Sequence, residues 1–297
     1  MFAFIVWILL TVWMFVCFRL LERYQARTFQ VIVVNYWACC ALGFSLHASE
    51  FTRYTAGADH WLVWALGLGV MFISTFYLTG LATKALGLSV VTLASKLSFV
   101  IPSLLSLFLI PSALAEMTWL KWLGLLLGFV AVFCSVYQPK TKNQTEPTNS
   151  SIPKNWWLPL LVFVMGGLVD AFLNIANERF FVAESNPFFV ISIFGVSAFL
   201  GSTALGIMFY KDPKARPKRQ EFLWGALLGI PNYASVEVML LVLKDFNNNG
   251  ALVFPVYNLS IIGLSALIGA VFFAERLNAI NYLGLALACL TIFLMLF

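Results

Sequence analysis

Three ionisable side chains stand inside long apolar runs: Lys96, Asp170 and Glu237. Charge is costly in hydrocarbon, so such groups mark solute pathways, proton relays or paired contacts between helices. Lys96 follows Ser89 and Thr92 and precedes Phe99 and Ser103, a spacing that sets all five on one helical face. An ammonium among hydroxyls inside an apolar bundle attracts a carboxylate or phosphate, because little water screens it there. The other role open to Lys96 is snorkelling to the nearer interface along a polar helix contact. Glu237 follows Tyr233 by one turn in GALLGIPNYASVE, where Pro231 removes a backbone donor and frees a carbonyl. A carboxylate within hydrocarbon is a candidate proton relay. Glu237 is thus the first proton-coupling candidate and Asp170 the second, each with a structural hydrogen bond as its alternative. Asp170 shares a face with Asn174 and Asn177.

Asn35, Tyr77, Tyr233, Tyr257 and Asn258 are further polar groups in apolar runs. With Lys96 they form the expected substrate-binding set, and Asn35 and Tyr77 are expected to complete a cradle around the ammonium. Their alternative role is polar glue between helices. The chain has no Walker A loop, no GxSxG and no HExxH, so no ATP drive, hydrolase or zinc protease chemistry is expected. Cys17, Cys39, Cys40, Cys134 and Cys289 lie in apolar runs without metal-ligand spacing. His47 and His60 read as solvated loop residues. No catalytic residue, metal or cofactor is expected, and the chain is not read as an enzyme.

The elements that must hold these groups follow from composition. Of 297 residues, 61% are hydrophobic and 10% charged, with 29 Phe and a mean hydropathy of +0.90. A soluble domain carries about a quarter charged residues. The expected fold is all-α and embedded in the lipid bilayer. Apolar segments fall at 2–18, 29–46, 61–82, 88–110, 119–137, 156–176, 188–210, 222–243, 251–273 and 280–297. Residues 2–18 lack a preceding basic stretch and a cleavage site, and read as a retained first helix. Trp61, Trp64, Trp119, Trp122, Trp156 and Trp157 stand at segment starts, where indole rings favour the headgroup level. The polar stretch 139–155 is rich in Pro, Ser and Thr and reads as a linker between residues 1–138 and 156–297. It holds the sequons at Asn143 and Asn149. Basic residues concentrate in one set of alternate loops. They account for the net charge of +5 by topology and exclude a nucleic-acid role. The rule that positive loops stay inside places the linker in the cytoplasm and both termini outside the cell (inner) membrane.

The two halves resemble each other. Trp64 to Lys84 aligns with Trp224 to Lys244, pairing Gly69 with Gly229 and Tyr77 with Glu237. Lys96-Leu97-Ser98 aligns with Asn258-Leu259-Ser260, Ala115-Glu116 with Ala274-Glu275, and Leu123-Gly124 with Leu283-Gly284. Gly124 and Gly128 stand four apart in the fifth segment, a spacing for close helix packing. Five helices per copy make the second copy inverted, a common plan of secondary carriers.

The stretches GLATKALGLSVVTLASKLSFVIPSLLSLFLIPSALAEMTWLKWLGLLLGFVAV and FPVYNLSIIGLSALIGAVFFAERLNAINYLGLALACLTIF carry a further likeness. Each has an apolar helix with an internal Pro (Pro102, Pro255), a Glu at the following turn (Glu116, Glu275) and a Gly-containing last helix. In this the chain resembles the drug/metabolite transporter superfamily and its EamA-like ten-helix carriers. The resemblance implies ten helices in two inverted repeats, acting as a monomer or homodimer. The expected function is a secondary active transporter of a small polar organic solute, anionic or amino-acid-like, by alternating access. A cationic-drug exporter of the same fold is the first alternative. A lipid-modifying membrane enzyme and a non-transporting scaffold are alternatives of other classes.

Overall fold

The computed structural model describes residues 2–50, 60–86, 95–110, 114–115, 117–136, 157–181, 186–213, 216–272 and 279–296. The linker 139–155, Ser89, Thr92, Glu116 and Glu275 lie outside the described residues. Among those described, ten α-helices correspond one to one to the ten apolar segments. They are α1 (Phe2–Arg23), α2 (Thr28–His47), α3 (Leu62–Leu86), α4 (Val100–Leu109), α5 (Trp119–Val136), α6 (Trp157–Phe180), α7 (Pro187–Lys211), α8 (Arg219–Asp245), α9 (Gly250–Phe272) and α10 (Ala279–Leu296). Five are long and apolar enough to cross a membrane: α2, α3 over Leu62–Thr79, α6, α7 and α8. The chain is an all-α, multi-pass membrane protein.

Several helices outrun their apolar segments. α1 continues to Arg23 and α6 to Phe180, and α8 starts at Arg219. Arg, Lys and Glu are good helix formers, and their long stems reach water from the last turn. Hydropathy locates the hydrocarbon span; the hydrogen-bonded helix extends past it. The surface is apolar: Phe108, Trp119, Phe199, Tyr210 and Phe272 are each exposed by two thirds or more. In water such a surface would aggregate, whereas in lipid it is the solvated face. Trp119, Trp122 and Trp157 are exposed, as interfacial belt residues are. Trp61 is buried, with its ring edge-on to Phe189 at 6.0 Å, and Trp64 packs 5.8 Å from both Phe172 and Phe180.

Close packing rests on missing side chains. α2 packs on both α7 and α8, and α3 on both α6 and α7. A Cβ built on Gly69 of α3 would stand 2.5 Å from Val196 Cβ and 2.8 Å from the Ile193 carbonyl of α7. A Cβ on Gly229 of α8 would stand 2.6 Å from Ala38 Cβ and 2.7 Å from the Asn35 carbonyl of α2. Between α2 and α7, Gly43 lies against Ile191 and Gly201 against Val33. α5 and α10 run antiparallel, with Gly124 against Met295, Gly128 against Thr291, and Asn281 Nδ2 donating to the Cys134 carbonyl at 3.0 Å. Lipid offers no hydrophobic drive between helices, so backbone approach at small residues supplies the dispersion contact. The Gly124/Gly128 pair therefore packs within the bundle.

Candidate functional site

Lys96 lies in a single helical turn over residues 95–97, separated from α4 by a turn at 98–99. Ser98 Oγ donates back to the Ser95 carbonyl at 2.6 Å, and Ser103 Oγ to the Phe99 carbonyl at 2.7 Å. Hydroxyl back-bonds of this kind bend helices. This segment crosses α6 at its glycines. A Cβ on Gly167 would meet Ile101 Cβ at 2.6 Å and the Ser98 carbonyl at 2.7 Å. Asp170 follows Gly166 and Gly167 by about one turn, which carries its carboxylate to the same crossing. Lys96 is buried and lies within electrostatic reach of Asp170.

A second polar contact joins α1 and α9. The hydroxyl of Tyr257 of α9 shares a 2.7 Å hydrogen bond with Thr11 Oγ1 of α1. Trp7, one turn before Thr11, stacks on the Tyr257 ring at 3.5 Å with an 8° interplanar angle. Asn258 is buried, and its Nδ2 donates to the Phe254 carbonyl of its own helix at 3.0 Å. The interior thus gathers an ammonium, a carboxylate, a phenol and a hydroxyl from four parts of the chain, with an indole beside them. Such a set can bind a small polar molecule carrying charge.

The other candidate residues lie elsewhere. Asn35 is buried between α2 and α8, where its Oδ1 accepts from Asn232 Nδ2 at 3.2 Å. Tyr77 is 56% exposed on α3. Lys96 itself lies within electrostatic reach of Asp170. Tyr233 and Glu237 form a second cluster, with the Tyr233 hydroxyl donating to Glu237 Oε1 at 2.6 Å. His47 Nε2 lies 3.3 Å from the same oxygen. His47 is the last residue of α2, not a loop residue, and parallel packing of α2 on α8 delivers it there. α8 is continuous through Pro231.

Sequence reading missed two other polar groupings. Arg27 Nε donates to Glu221 Oε1 at 3.1 Å, and Glu221 Oε2 accepts from the Lys218 backbone N–H at 2.6 Å. Arg27 Nη2 also donates to the Arg216 carbonyl at 2.7 Å. Between α8 and α9, Asn247 and Asn248 take positive φ values of 51° and 54°, which Asn tolerates better than most residues. There Asn177 Nδ2 donates to the Leu240 carbonyl at 2.9 Å and to Asn248 Oδ1 at 2.7 Å. The NNNG run at 247–250 was the available signal for this buried loop. Trp7 and Thr11 sit in an unbroken apolar segment and carried no signal.

The fold defines a class: a multi-helix, all-α membrane protein. The chain is similar to an uncharacterized protein of Haemophilus influenzae, 25% identical over 270 residues that cover 89% of this chain and 87% of that relative. It also resembles a protein of known crystal structure with a TM-score of 0.70 and 16% identity, over 99% of this chain and 94% of that one. The latter likeness concerns the fold. No protein-family profile matches the chain.

Proposed function

We propose that the chain is a secondary active carrier of a small polar organic metabolite, built as two inverted five-helix repeats like the drug/metabolite transporters. The observation that carries the reading is a buried lysine, Lys96, in the segment that crosses α6 at Gly167, within electrostatic reach of Asp170, in a bundle that also buries the Thr11–Tyr257 hydrogen bond. A buried ion pair is a weak source of stability, because desolvation offsets the attraction. Its place at a break in a helix matches how carriers build midplane sites.

Packing supports the repeat. Exchanging each helix with the one five places on converts the α3–α6 contact into α8–α1, α3–α7 into α8–α2, and α4–α6 into α9–α1; all six contacts exist. The contacts α2–α7, α4–α9 and α5–α10 map onto themselves. The match reaches single residues. Gly43 on Ile191 becomes Gly201 on Val33, and Gly69 on Ile193 and Val196 becomes Gly229 on Asn35 and Ala38. Two equivalent halves can exchange conformations and so open one site to either side in turn.

The test is counterflow in proteoliposomes loaded with an unlabelled metabolite mixture. The wild type accumulates a labelled solute and Lys96→Met does not. Absence of counterflow with every metabolite class tried, from a folded and correctly inserted protein, would refute the carrier reading.

A further inference from the structure

α7 and α8 follow one another in the chain, yet they barely touch, because α2 packs on both and lies between them. On α2, Val33 and Cys40 meet α7, while Val34, Asn35 and Ala38 meet α8. One helix face between these two sets stays open and carries the exposed rings of Trp37 and Phe44. The walls beside it are apolar and open as well. Phe199 and Tyr210 of α7 are exposed, and an added Cβ on Gly206 between them would meet nothing within 4 Å. Phe222, Leu223 and Ile230 of α8 are exposed beside Gly225 and Gly229, the glycines that seat α8 on α2. The three helices so form a lipid-facing groove with α2 as its floor.

One end of this groove is strongly basic. Lys211, Lys214, Arg216, Lys218 and Arg219 fall within nine residues of sequence. Membrane sidedness accounts for basic loops on one face, but it does not require five charges in one of them. The nearby carboxylate of Glu221 is spent on Arg27 and on the Lys218 N–H. Arg27 also donates to the Arg216 carbonyl, so the turn before α2 holds this loop at the end of the groove. Lys211, Arg216, Lys218 and Arg219 are exposed and form no ion pair among the described residues. Like charges crowded together repel until an anion stands among them, and guanidinium groups suit phosphate oxygens well. A soluble anion would use this end alone. The groove continues from the charges along apolar side chains, so a ligand with an anionic head and a hydrocarbon tail fits both parts.

We propose that the groove between α7 and α8 binds one anionic phospholipid, with its phosphate on Arg216, Lys218 and Arg219 and an acyl chain laid over Trp37. The site makes no use of Lys96 and does not depend on the carrier reading.

The test is native mass spectrometry of the purified full-length protein, titrated with phosphatidylglycerol, phosphatidylcholine and glycerol 3-phosphate. Phosphatidylglycerol forms a tight one-to-one adduct, phosphatidylcholine a weak one, and glycerol 3-phosphate does not compete. Arg216→Gln with Arg219→Gln weakens the phosphatidylglycerol adduct by about fivefold for each charge removed. This variant keeps Lys211, Lys214 and Lys218 to hold the topology. Gly206→Trp fills the groove without a clash at its Cβ and loses the adduct with every charge in place. Arg179→Gln with Lys244→Gln, at the opposite ends of α6 and α8, leaves the adduct unchanged. Equal binding of the two lipids overturns the proposal, as does full binding in either groove variant or an equal loss in the Arg179 and Lys244 variant. Displacement of the lipid by glycerol 3-phosphate at matched concentration assigns the cations to a free phosphate and overturns the lipid.

Discussion

Two acid–base pairs in this molecule make opposite use of burial. Glu221 is fully buried at the start of α8 and completely supplied with donors: Arg27 Nε on one oxygen and the Lys218 N–H on the other. Arg27 in turn ties down the Arg216 carbonyl. This pair closes a helix terminus, where negative charge also complements the macrodipole. Lys96 and Asp170 lie within electrostatic reach of each other far from either end of α6, beside a helix break, with the buried Asn174 amide oxygen one turn further along α6. A network with every group satisfied holds structure together. One with an unmet acceptor carries a desolvation cost that is not repaid within the described residues.

The largest expected effect breaks the interior pair. Lys96→Met should abolish solute binding, read as loss of ligand-induced thermal stabilisation. Lys96→Arg should be impaired as well, since a planar fork does not reproduce a compact ammonium. Asp170, left unpaired in the single variant, lowers thermal stability, and adding Asp170→Asn restores it, because a buried charge pair replaced as a whole is often neutral. A solute stabilising wild type and Lys96→Met equally would assign Lys96 to helix packing.

The terminal pair should show the reverse pattern. Glu221→Ala is expected to cost about 3 kcal/mol of stability, the low end for a broken buried pair because Arg27 is 30% exposed. Transport per folded molecule should stay near wild type. A selective loss of transport with unchanged unfolding temperature would turn this clamp into a gate and end the contrast.

A smaller loss is expected at the matched crossings. Gly69→Ala and Gly229→Ala each push a Cβ against backbone, at 2.8 Å and 2.7 Å respectively, and overpacking of this kind costs about 1 to 3 kcal/mol. Near-equal falls in unfolding temperature sharpen the repeat; a fall at only one site argues against equivalent halves.

The subtlest change is at Glu237. Its Oε1 is shared by Tyr233 and His47, which joins the last residue of α2 to α8. Glu237→Gln keeps hydrogen-bonding capacity and removes the charge. Uptake should lose its dependence on a pH gradient while solute exchange continues. If uptake and exchange fall together, Glu237 binds or braces and does not couple protons.

Composition and hydropathy alone determined the fold class and the ten helices, because lipid requires every spanning backbone group to bond within its own helix. That constraint is local and can be read from one segment at a time. The cost of charge in hydrocarbon likewise singled out Lys96, Asp170 and Glu237 without any contact being known. Who meets whom was decided by tertiary structure. Glycines at 167 and 229 let α4 reach α6 and α2 reach α8, which paired Lys96 with Asp170 and Glu237 with His47. Tyr77 was turned to the exposed surface, and Asn35 was placed against Asn232. Trp7 and Thr11, ordinary residues of an apolar run, became part of the interior wall through Tyr257. Helix periodicity says which residues share a face, but the neighbour of that face is set by side-chain volumes on another helix, tens or hundreds of residues away.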